Sequence, residues 1–158
     1  MAKKKASNSV EIVKDKDTLH LVSEEVDISE MRDLHGKLML NMMRLGNRAL
    51  GLSAVQIGIH KRACAVTLGK VTTVMFNPYI KTKSNKITEA REKCLSVQAP
   101  YMVRRYYSVT VGYMDRTGAE REMRVEGREA AIVQHELDHL DGIIISDVGK
   151  LIVEETKK

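Results

Sequence analysis

Tryptophan is missing from this chain of 158 residues, and only one Phe and five Tyr are present. So few rings leave little for stacking on nucleic-acid bases. No run approaches the roughly 18 apolar residues that a helical membrane span needs, which excludes an integral helical membrane protein. Two cysteines without an apolar leader do not make a disulfide framework, so each is read by itself. What is present suits one domain: 43% hydrophobic residues can fill a core, and 30% charged residues can cover it.

The charge balance is 26 − 21 = +5. Lys3, Lys4 and Lys5 supply three of those charges, in a leader over 1–9 that reads as a solvated terminus. Ser-Asn-Ser follows the lysines where a signal peptide would be apolar, so a cytoplasmic location is expected. A charge of +5 spread along the chain is no nucleic-acid footprint. One domain is expected over 10–153, with a charged tail at 154–158.

Asp27 and Glu30 have capping-box spacing. Met31, Leu34, Leu38, Met42 and Leu45 then recur at steps of three and four, which predicts a helix ended by Gly46-Asn47. Met39, Met42 and Met43 are read as core or near-core on the same spacing. Further on the period changes to two. Ala63 to Thr67 and Val71 to Phe76 flank Leu68-Gly69-Lys70, a predicted hairpin. Val109, Val111 and Tyr113 alternate before Arg116-Thr117-Gly118 turns the chain into Glu120 to Val125, a second hairpin. A last helix is predicted from about Arg128 to Leu140, and Ile143-Ile144-Ile145 as a short buried strand. Antiparallel hairpins with helices standing apart make the class α+β.

The sharpest chemical feature is His135-Glu136-Leu137-Asp138-His139. Positions i and i+4 share a helix face, so both imidazoles can grip one metal ion with Glu136 beside it. A metzincin-type continuation fails, because Gly142 is present but Ile145 stands where its third His belongs. Glu154 and Glu155 lie in the charged tail. Upstream, Cys94 is the better third ligand, set against the plainer reading of a small buried hydrophobe. Cys64 takes that plainer reading, since it sits in an apolar strand. Gln56 is polar amid apolar neighbours; its amide could donate to an oxyanion, and a capped turn would explain it equally well. Asp138 faces away from the metal by helical spacing, as a surface carboxylate or a tie for the helix.

Three ordered segments carry a resemblance: Gly51-Leu52-Ser53-Ala54-Val55-Gln56, Glu92-Lys93-Cys94-Leu95-Ser96 and Gln134-His135-Glu136-Leu137-Asp138-His139. Together they resemble peptide deformylase, whose segments read Gly-Leu-Ala-Ala-x-Gln, Glu-Gly-Cys-Leu-Ser and Gln-His-Glu-x-Asp-His. The likeness runs from about Asp17 to Asp147. It implies hydrolysis of the formyl group from N-terminal formyl-Met of nascent chains. It also implies one divalent metal, Fe(II) by preference with Zn, Ni or Co as substitutes. Carried over, the ligands are Cys94, His135 and His139. Glu136 is the general base and acid, and Gln56 with the Leu95 N–H holds the oxyanion. The expected substrate pocket is Leu50, Gly51, Leu52, Lys93, Ala131 and Ile132.

Departures from the pattern are Lys93 in place of Gly, Ser53 in place of Ala and Ala49 in place of an upstream Gly. Val97-Gln98-Ala99-Pro100 follows the second segment, and Arg104 is the first Arg after it. Two rival readings go with the resemblance: a metal amidase with different acyl selectivity, and a weakly catalytic homologue that binds acylated N-termini. A monomer is expected, with formyl-Met peptides as partners and a weak association with the ribosome. Only about a dozen residues follow Ile145, so docking through a long terminal helix is not expected.

Overall fold

In the computed structural model, which describes residues 10–153, Asp15 caps the single turn α1 (Lys16–Leu19) by accepting from the Thr18 N–H at 3.1 Å. The helix α2 (Ile28–Leu45) begins where Glu30 accepts from the Asp27 N–H at 3.0 Å, and stops at Gly46, whose φ of +55° no β-branched residue would tolerate. The leader at 1–9 and the tail at 154–158 lie outside the described residues.

Among the described residues the strands form two sheets. β1 (Gly51–Ser53), β2 (Ala63–Leu68) and β3 (Val71–Lys83) pair in sequence. The hairpin β4 (Ile87–Cys94) and β5 (Val97–Tyr106) then leaves for a second sheet. β6 (Ser108–Met114) returns to pair with β3, and β7 (Glu120–Glu126) pairs with β6. After helix α3 (Gly127–Leu140) and the turn α4 (Ile145–Val148), β8 (Gly149–Leu151) pairs with β5. The orders are β1-β2-β3-β6-β7 and β4-β5-β8, all antiparallel, which is the α+β arrangement expected.

Period-two patterning divides the larger sheet into two buried faces. Ala63, Ala65, Val74 and Phe76 point to one side, where Met31, Leu34, Leu38, Met42 and Leu45 of α2 cover them. Cys64, Val66, Met75, Val109, Val111 and Val125 point to the other, against Ala130, Val133 and Leu137 of α3. Truncating one such Leu to Ala would cost about 2–5 kcal/mol. Cys64 belongs to this core, and burial pushes its thiol up.

Two sequence expectations are corrected. Met43 is 73% exposed, because one helical step turns it about 100° away from buried Met42. Ile143-Ile144-Ile145 is no strand, although Ile144 and Ile145 are buried. Its main chain is satisfied locally: Asp147 accepts from the Ile144 N–H at 2.9 Å and donates its own N–H to the Ile144 carbonyl, which winds the segment into α4. Before it, Gly142 has φ +73° and no room for a side chain, since a β-carbon would meet the His20 carbonyl oxygen at 2.4 Å. No described helix is long and apolar enough to cross a membrane.

Candidate active site

α3 lies between the two sheets and brings two of its histidines to one point with a cysteine of β4. The metal-ligating atoms of Cys94, His135 and His139 all fall within 4.8 Å of one another. The two imidazoles stand edge to face with centroids 5.0 Å apart, as the i, i+4 spacing dictates. Cys94 arrives from the end of β4, and its Sγ lies 3.4 Å from His139 Nε2.

The donor set fits a divalent metal. One thiolate and two imidazoles suit a borderline ion and leave a coordination position open. Burial, reinforced by His135 and Arg105, pushes His139 down to about 3, so its imidazole is neutral as ligation requires. Burial also acts to lower His135, but the bonded Cys94 and Glu92 outweigh it and lift the group to about 10. Anionic neighbours that favour a proton on this ring also favour a cation beside it.

The ring of His135 is held from behind. Its Nδ1 lies 2.8 Å from Glu92 Oε1, which turns Nε2 toward the cluster. Arg105 grips Glu92 in a fork, with both contacts at 2.8 Å, and its third nitrogen donates to Asp138 Oδ2 at 2.5 Å. Burial would raise Glu92, but Arg105 and His135 together hold it below the usual carboxylate range. Asp138 thus ties α3 to the β4–β5 hairpin. Arg105, 6% exposed, is the functional residue that sequence reasoning missed. Its only signal was the presence of two carboxylates, Glu92 and Asp138, that need a common cation once the β4–β5 register is known.

Glu136 is 4% exposed, with Oε1 4.0 Å from His135 Nε2. Ser53 Oγ donates to its Oε2 at 2.7 Å. Burial raises the pKa of Glu136 against the opposing effects of His135 and Ser53, which moves a carboxylate toward the range where it can both take and give a proton. Gln56 is 2% exposed and fully oriented. Its Oε1 accepts from the Ser53 N–H at 3.0 Å, while Nε2 points to Ser96 Oγ at 3.1 Å and Cys94 Sγ at 3.6 Å. The amide donors therefore face the metal cluster, and the capped turn read from the sequence is present at the same residues.

A cleft of about 1040 Å³ opens onto this point. Leu50, Gly51, Lys93, Leu95, Ala131 and Ile132 all line it. Leu52 does not. Strand alternation in β1 turns Gly51 and Ser53 toward Glu136 and sends Leu52 the other way, fully buried against α2. Lys93 occupies its position without left-handed backbone, since Asn77 is the one described non-glycine residue with positive φ. The strand register shifts between Glu92 and Cys94, and this irregularity accommodates a side chain where the related pattern has Gly. Arg104 is an exposed residue of β5 and does not line the cleft.

Residues 9–154 match the family described as polypeptide deformylase. A peptide deformylase of Clostridium beijerinckii is 37% identical over 137 residues, which cover 85% of this chain and 97% of that protein. A solved peptide deformylase from Synechococcus elongatus, in complex with actinonin, is 28% identical with a TM-score of 0.82 and covers 94% of this chain and 82% of its own. The Met-Ala-Ser-bound class I type b peptide deformylase from Acinetobacter baumannii is 29% identical with a TM-score of 0.78, covering 87% and 96%. With one family matched along nearly its whole length, the chain belongs to the peptide deformylases.

Proposed function

We propose that this metal-dependent deformylase releases formate from N-terminal formyl-Met by means of Glu136, Gln56 and the Leu95 N–H, with Cys94, His135 and His139 holding one divalent ion. Fe(II) is the expected ion, because a thiolate in the ligand set favours a softer metal than carboxylates would, and Zn, Ni or Co can stand in. When bound, the metal supplies Lewis acidity and lowers the pKa of water beside it. Glu136 accepts the proton of the attacking water and delivers it to the leaving amine, for which its buried, raised-pKa carboxylate is suited. Gln56 Nε2 and the Leu95 N–H donate to the formyl oxygen as charge gathers there. Losing one such donor typically costs about a hundredfold to a thousandfold in rate.

β1 and β4 are edge strands of their two sheets, and residues of both line the cleft. An extended peptide can therefore add between them by main-chain pairing, with its Met side chain against Leu50, Ala131 and Ile132. The substrate is a newly made chain, so the site of action is the cytoplasm. The ligand set is complete within one chain, which suits a monomer, and the +5 charge favours a weak ribosome association.

The observation that supports this reading best is the placement of Glu136 beside a Cys-His-His cluster within 4.8 Å. A pure binder of acylated N-termini has no use for a proton shuttle there. The test is hydrolysis of formyl-Met-Ala-Ser by protein purified without oxygen, with metal content read on the same sample. Formate release with about one metal per chain is expected. A metal-replete protein that releases no formate would overturn the assignment of these roles.

A further inference from the structure

The cleft mouth is lined by cations whose charge the surrounding carboxylates do not cancel. Arg48, Lys93 and Arg128 line it and are exposed. Arg48 donates to the main-chain carbonyls of Leu45 and Arg44, both at 3.3 Å, and forms no ion pair among the described residues. Among the described residues neither Lys93 nor Arg128 forms an ion pair.

Two of the three acids of the same lining are committed elsewhere. Glu92 is held by Arg105 and His135, and Glu136 by Ser53 and the metal cluster. Glu89 alone remains of the lining carboxylates, and it stands in register opposite Arg104 on β5. The rim is therefore positive while the depth of the cleft is metal-ligating.

Distance decides which part of a substrate would feel this charge. Arg128 precedes His135 by seven residues on α3, about 10 Å along the helix axis. With the formyl group at the cluster, the second and third residues of an extended peptide lie about 7–11 Å downstream. Lys93 flanks the same path, one residue before Cys94.

We propose that this basic rim selects substrates by charge: formyl-Met chains with Asp or Glu at the second or third position are processed faster than neutral ones, and chains with Lys or Arg there more slowly. The proposal rests on the deformylase reading above. Exposed ion pairs each contribute up to roughly a factor of five, so two acting together separate Asp-bearing from Lys-bearing peptides by about tenfold at low salt. The contacts are the same in ground and transition states, so the difference lies in KM. It fades toward 1 M salt, where the Debye length is about 3 Å.

The experiment compares kcat and KM for formyl-Met-Ala-Ser with versions carrying Asp, Glu, Lys or Arg at the second or third position, at low and high salt. It is repeated on Lys93→Glu/Arg128→Glu and on Lys93→Gln/Arg128→Gln, both at exposed positions that leave the core untouched. Expected are the order acidic, neutral, basic in the natural protein, its flattening in the Gln variant and its reversal in the Glu variant. Equal KM across the charge series, with the neutral peptide still hydrolysed, would overturn charge selection and leave the deformylase reading intact. An acidic preference that survives charge reversal would overturn the rim as its cause. No turnover of the neutral peptide by metal-replete protein would instead overturn the underlying reading.

Discussion

Ser53 Oγ donates to Glu136 Oε2 at 2.7 Å, and on the neighbouring side of the same carboxylate there is room only for glycine. A β-carbon at Gly51 would stand 2.6 Å from Glu136 Oε1 and 2.7 Å from its Cγ. Gly51 has no left-handed φ, so Ala would suit its backbone and the substitution reads the contact alone. Gly51→Ala is expected to swing the carboxylate away from the cluster and lower kcat by about a hundredfold or more, on the scale of a lost general base. Metal content and thermal melting should stay near those of the natural protein. A variant within about threefold of normal turnover would show that Glu136 does not depend on this clamp.

How far the sequence could lead is visible in this clamp. His135, Glu136 and His139 were legible because helical periodicity alone puts them together, and the α2 stripe and two hairpins were legible from equally local patterns. The β4–β5 hairpin was not, because Ile87–Cys94 carries Glu89 and the consecutive charges Arg91, Glu92 and Lys93 and offers no apolar period. What depends on its register was hidden with it: the placement of Arg105 between Glu92 and Asp138. Leu52 was misread for a simpler reason. It lies between two residues that face the site, and a strand must send it the other way.

Arg105 is the residue whose loss should cost the fold most. Arg105→Met would leave Glu92, 9% exposed, as an uncompensated buried charge, and breaking such a pair costs about 3–5 kcal/mol. Glu92 also orients His135, so metal affinity should fall by about tenfold to a hundredfold. The sign of the pH dependence follows from the lowered pKa of Glu92. Its stabilisation is present above the ordinary Glu value and is lost as pH falls through the lower folded value, so the natural protein's advantage over the variant narrows in acid. Urea midpoints at several pH values, with chelator competition at neutral pH, check both parts. An unchanged midpoint would mean that the network is not holding α3 to the hairpin.

Metal should stabilise the fold as well as supply chemistry, because its ligands come from β4 and α3 and the unfolded chain does not present them together. A ligand at about 1,000 times its dissociation constant adds about 4 kcal/mol. Chelation is therefore expected to lower the melting temperature by several degrees, and added Fe(II), Ni or Zn to restore it. In Cys94→Ala the melting temperature should respond much less to either treatment. If chelator moves the natural protein and the variant equally, the bound ion is held somewhere other than the Cys94, His135 and His139 cluster.

Glu136→Ala separates chemistry from binding. The side chain is not among the three ligands, so the variant is expected to retain about one metal per chain and to bind a Met-Ala-Ser peptide with little change. Its kcat should fall by about a hundredfold to ten-thousandfold, since the proton of the attacking water and the proton needed by the leaving amine both lose their carrier. The removed carboxylate also leaves Ser53 Oγ with the Glu136 carbonyl oxygen, 3.1 Å away, as its remaining acceptor, so the fold loses no buried hydrogen-bond donor. Metal analysis, peptide titration and formate release on one preparation give the three readings together. Turnover that persists at the natural rate with metal in place would assign the proton transfer to another group, and the raised pKa of Glu136 would then reflect burial alone.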